Sequence, residues 1–111
     1  MAVFNQQIET MSEMVENEAF NEAKEFLMTS QNAFKPAYLR FIVARKTHAA
    51  QEYIEQQIDN FIENRIVQIQ TLIRANRDRI DDYTWSLIVE AMEYRPDHEG
   101  LNELRQKYIA Q

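Results

Sequence analysis

Glycine is nearly missing from this chain. Its 111 residues hold one, Gly100, and only two prolines, Pro36 and Pro96. Tight hairpins and phosphate-cradling loops use Gly for positive φ or close backbone approach, and helices need neither. The scarcity excludes common nucleotide loops and the strained nucleophile elbow, and it points to helices. Cysteine is absent, so there is no disulfide framework, thiol nucleophile or thiolate metal site. No apolar run approaches the roughly 20 residues of a membrane span. The start, MAVFNQQIET, lacks the basic and apolar regions of a secretory signal, so cytoplasmic residence is expected. Excess positive charge is missing too. A net charge of -6 repels phosphate at long range and argues against nucleic-acid or anionic-membrane binding.

What is present is apolar enough, at 45% hydrophobic residues, to build one core, and a single domain over 1–111 is expected. The charge is uneven. Residues 1–34 hold six Glu against Lys24 alone, whereas residues 35–50 hold Lys35, Arg40, Arg45 and Lys46 with no acid. Acidic N-terminal helices lying beside a basic third helix would account for this. A sharper reading makes Arg40, Arg45 and Lys46 a docking patch for an acidic partner, although Arg40 and Arg45 stand about 140° apart on a helix.

Apolar periodicity sets the elements. Phe4, Ile8, Met11 and Val15 make one helical stripe, with Asn5 as N-cap, and Phe20, Ala23, Phe26 and Leu27 make a second. Residues 30–35 read as a loop, with Pro36 in the first turn of a third helix. Ile54, Ile58, Ile62, Ile66, Ile69 and Ile73 recur at three- and four-residue spacing. Thr47 reads as a cap, so a break is expected near 46–48, followed by a long helix over about 49–75. Asp81 caps the next helix, with Ile80 and Trp85 as a hydrophobic staple, and Asp97 caps the last, which buries Leu101, Leu104 and Tyr108. Without Gly, Asn17, Asn32 and Asn76 are the expected left-handed caps. The fold expected is all-α, a bundle or array of five to six antiparallel helices with one long central amphipathic helix.

Catalytic parts are sparse. His48 and His98 have no second His at zincin spacing, and no Glu-x-x-His of a di-iron bundle occurs. The run from Arg77 to Asp82 lacks the Gly and distal Glu of a calcium loop. One acidic arrangement stands out. Glu22 and Glu25, then Glu52 and Glu55, form two i, i+3 pairs that two facing helices could turn toward Mg²⁺. This resembles the all-α nucleotide pyrophosphohydrolases of the MazG type, which carry two acidic pairs on successive helices. The resemblance implies Mg-dependent pyrophosphate release, with Glu55 standing where that family has Asp. Ala91, Pro96, Leu101, Leu104 and Tyr108 resemble the end of a tetratricopeptide repeat running into the next. Their spacing does not fit one register, and no repeat of about 34 residues is present, so helix-hairpin packing is the expectation. Phe34, Tyr38 and Phe41, beside Lys35, Arg40 and Arg45, have ordinary core spacing; a base-stacking strip is the alternative.

The sequence leans against an enzyme, with no catalytic residues, cofactor or metal assigned. It is read as a small acidic helical module that self-associates as a homodimer or binds a protein partner, with no membrane partner and nucleic acid disfavoured. The expected contact face is the apolar side of the long helix, Ile58, Phe61, Ile62, Arg65 and Ile69, with Arg40, Arg45 and Lys46 as a secondary basic patch. The alternatives are the Mg-dependent nucleotide pyrophosphohydrolase, using Glu22, Glu25, Glu52 and Glu55, and an acidic decoy for a nucleic-acid-binding protein.

Overall fold

The computed structural model of the chain describes residues 2–34 and 36–109. Among them the protein is all-α, with five α-helices: α1 (Ala2–Glu16), α2 (Phe20–Ala33), α3 (Arg40–Ala75), α4 (Asp82–Tyr94) and α5 (Glu99–Tyr108). A short 3-10 turn, Ala37–Leu39, leads into α3. The chain divides into two compact units, residues 1–58 and 59–111, and α3 contributes to both.

In the first unit α1 and α2 pack as an antiparallel pair joined by a tight reversal. The reversal ends α1 in a Schellman motif. Ala19 N–H reaches Met14 C=O at 2.9 Å, and Glu18 N–H reaches Val15 C=O at 2.9 Å. The left-handed residue is Glu18, with φ 62°, and not Asn17. Asn17 precedes it and donates its amide to Glu13 C=O instead. Asn5 lies inside α1, which begins at Ala2, and Asn32 lies inside α2, which runs on to Ala33 through the buried Ser30. The expected loop at 30–35 is therefore largely helix. Pro36 precedes the 3-10 turn rather than sitting in the first turn of a helix.

No break occurs at 46–48; α3 is one continuous helix of 36 residues. Thr47 is 2% exposed and shares a face with Val43, Ala50, Ile54 and Ile58, all buried. A lone β-branched residue costs a helix only about 0.5 kcal/mol relative to Ala. Burying a single apolar side chain offsets that several times over, so the stripe carries the helix through Thr47.

The second unit gathers around Ile69, Ile73, Leu87, Ile88 and Tyr108, with Ile80, Trp85, Met92 and Leu104 packed against them. A second Schellman motif ends α3, with Asp78 N–H on Ile73 C=O at 2.9 Å. Here Arg77 and Asp78 take positive φ, 57° and 60°, while Asn76 is again one residue early. Asp81 caps α4 as expected, accepting the Thr84 N–H at 2.8 Å. The Thr84 hydroxyl and that N–H hold the Asp81 carboxyl below its ordinary value. His98, not Asp97, caps α5: its Nδ1 accepts the Leu101 N–H at 3.3 Å. Gly100 has no positive φ. It keeps room for that imidazole, since a Cβ there would stand 3.1 Å from the ring.

Candidate interaction surface

The face expected to be the contact surface is occupied by the chain itself. Ile58, Ile62 and Ile69 are at most 1% exposed, and Phe61 is also buried. Phe61 meets the Tyr94 ring edge-on at 5.8 Å between centroids. Arg65 lies 4.7 Å over the Phe61 ring and reaches Glu90 at 3.4 Å and Gln68 at 2.8 Å. The isoleucine spacing that suggested a second chain is satisfied by the core of one.

The acidic pairs do not converge either. Lys24 Nζ stands 3.0 Å from Glu55, and His48 holds Glu52 at 3.1 Å one turn away on α3. Among the described residues no group of three or more His, Cys, Asp or Glu is placed to hold a metal ion. Glu22 and Glu25 are exposed on α2 with no part in such a group.

Surface hydrophobicity concentrates elsewhere, at the start of α3. Tyr38 and Phe41 are each 85% exposed, and Ile42 is 43% exposed. Only Phe34 of the expected aromatic core set is half-buried, its ring 5.7 Å from that of Phe4. Helical phase explains the correction. At 100° per residue Phe41, Arg45 and His48 fall on the side opposite Val43, Thr47, Ala50 and Ile54. The first group is exposed and the second buried. The three aromatics do not share one helix: Phe34 follows α2, Tyr38 lies in the 3-10 turn, and the phase of a continuous α3 turns Phe41 outward. A helical wheel carried back from Ile54 without a break would have found it.

Beside this stripe runs another, Ile42, Lys46, Ala49 and Tyr53. Its last three members line a groove of about 300 Å³ with Ala50 of α3 and Ile8, Met11 and Ser12 of α1. Arg45 and Lys46 therefore border the exposed apolar surface. Arg40 does not; it lines a polar recess with Gln31, Asn32, Phe34 and Pro36. No ion pair among the described residues involves any of the three. Lys35 lies outside the described residues.

The remaining histidine is structural. His98 Nε2 lies 3.4 Å from Glu63 while Nδ1 caps α5, so both ring nitrogens are engaged locally. Among the described residues no helix is long and apolar enough to cross a membrane. No family model, curated protein or solved structure matches this chain.

Proposed function

We propose that the chain is a small helical protein–protein interaction module without catalytic activity, docking through the aromatic and basic start of α3. The observation that carries this is the pair Tyr38 and Phe41, 85% exposed beside the unpaired Arg45. Fully burying one such ring is worth roughly 1.5–3 kcal/mol. Two rings held in water, Tyr38 on the 3-10 turn and Phe41 in the first turn of α3, forgo that gain unless a partner covers them. Aromatic side chains with a neighbouring Arg are also the residues that dominate measured interface energies.

A protein partner fits better than nucleic acid. The same unit exposes six Glu on α1, α2 and their connection, and the chain's net charge is -6. That field repels a polyphosphate backbone and tolerates a partner that meets the cations one at a time.

The test is site-specific photo-crosslinking in the native host. A benzophenone side chain replacing Phe41 is expected to trap a discrete protein adduct, whereas the same group replacing Val67, 62% exposed on α3, is not. Equal adducts at both positions, or none at Phe41, would sink the reading.

A further inference from the structure

We infer that the protein seated on the start of α3 is a second copy of this chain, which presents the acidic face of its α1. This rests on the docking surface proposed above and names its occupant. Charge complementarity within the first unit is the ground. Glu9, Glu13 and Glu16 sit at i, i+4 and i+7, all exposed, on the side of α1 away from buried Phe4, Met11 and Val15. None of these three carboxylates enters an ion pair among the described residues. On α3, Phe41, Arg45 and His48 repeat that spacing, with Lys46 alongside and no acid anywhere between Glu25 and Glu52.

His48 is held by Glu52 at 3.1 Å, so one unit carries an acidic stripe on α1 and two free cations, Arg45 and Lys46, beside Phe41 on α3, and among the described residues the two sets leave each other unpaired. Such surfaces are self-complementary between molecules. If the α1 of each copy lies along the α3 start of the other, both contacts form at once and the assembly closes as a two-fold dimer. Tyr38, Phe41 and Ile42 supply the apolar contact at one end, and Arg45 and Lys46 against Glu13 and Glu16 fix direction and register. Exposed ion pairs add little each, so the rings carry the affinity and the charges select the partner.

The experiment is light scattering with charge-swapped variants, each checked for native helicity by circular dichroism. The wild-type chain of 13.3 kDa is expected to approach twice that mass at high micromolar concentration in low salt. It should weaken at 1 M salt, where the Debye length is about 3 Å. Arg45→Glu with Lys46→Glu, and separately Glu13→Arg with Glu16→Arg, should each be monomeric. Mixing the two variants should restore the dimer mass. A monomeric wild type, a dimer that survives either reversal, or a mixture that stays monomeric overturns the inference. A monomeric wild type whose benzophenone variant at Phe41 still traps a foreign protein would leave the docking surface standing and remove only the second copy. A chain that neither dimerises nor traps a protein loses both.

Discussion

The two units of this protein differ in how many of their charged side chains pair across the unit and in where their exposed rings gather. In residues 59–111 long-range polar contacts close internally: the ion pairs of Arg95 with Asp59 at 2.9 Å and Arg65 with Glu90 at 3.4 Å, and the His98 ring on Glu63 at 3.4 Å. Its central aromatic pair, Phe61 and Tyr94, is packed edge to face. In residues 1–58 the link from Lys24 to Glu55 stands out against unpaired Arg40, Arg45 and Lys46 and against two rings in water. The second unit closes more of its ion pairs over long range, though it too exposes Val67 and the Tyr83 ring, which lie on separate helices. The first gathers Tyr38, Phe41 and Ile42 in one short stretch beside unpaired Arg45, and that contrast supports the docking surface proposed at the start of α3.

Damage to the core of the second unit should appear as lost stability. Ile88 is fully buried in its core cluster. Ile88→Ala is expected to cost about 2–5 kcal/mol in chemical denaturation, the range for removing a buried branched side chain. A loss below about 1 kcal/mol would mean the cluster is not the centre of that unit.

The first unit contains a flaw of its own inside α3. Thr47 Oγ1 is buried and has no hydrogen-bond partner among the described residues. Leaving a buried hydroxyl unsatisfied costs roughly 1–3 kcal/mol. Thr47→Val keeps the shape and removes the hydroxyl, so it should raise stability by about 1 kcal/mol or more. A destabilised variant would show that the hydroxyl is used.

How much of this was legible beforehand depends on which physics decided it. The scarcity of Gly and the isoleucine spacing pointed to the helical class, and the burial of Phe4, Met11, Val15, Leu27, Ile54 and Leu101 followed from periodicity. Asp81 was legible because a cap is local: one side chain and one N–H three residues on. The length of α3 was not, because Thr47 is a weak local signal overruled by tertiary burial. With a break assumed there, the outward phase of Phe41 on α3 was missed and the ring was read as core. The assumed break also left Ile58, Ile62 and Ile69 looking like surplus apolar area, when the second unit's own core needs Ile69. Asn17 and Asn76 marked the right turns and the wrong residues, since Schellman geometry puts the left-handed residue one step later.

Those left-handed positions give a finer comparison between the units. Glu18 holds positive φ in the first and Arg77 in the second. An L-residue there costs roughly 1–2 kcal/mol, part of which Gly returns through its freer unfolded state. Glu18→Gly and Arg77→Gly should each stabilise by about 0.5–1 kcal/mol in thermal unfolding. A loss at Glu18 alone would show that its side chain does more than terminate α1.

Acid bears on the second unit through Asp81. Its carboxyl is held below the ordinary value of 3.8 by the Thr84 hydroxyl and N–H. The folded state therefore binds that proton less tightly than the unfolded chain. The cap's contribution is complete above the unfolded value and is lost as pH falls through the lower folded one. Acid titration of Asp81→Asn against the wild type should show the difference between them shrinking in that window. A constant difference would mean the charge does not matter to the cap.

The smallest expected change in stability is also the one that bears most on function. Phe41 packs so little of its ring that Phe41→Ser should leave unfolding within about 0.5 kcal/mol of wild type, the usual range for an exposed site. A core aromatic truncated the same way would lose several kcal/mol. Association should respond in reverse, falling with Phe41→Ser while Val67→Ser leaves it intact. The pairing of an unchanged denaturation midpoint with lost association is what a docking residue requires. A Phe41 variant that is markedly destabilised would return the ring to the core and the docking surface with it.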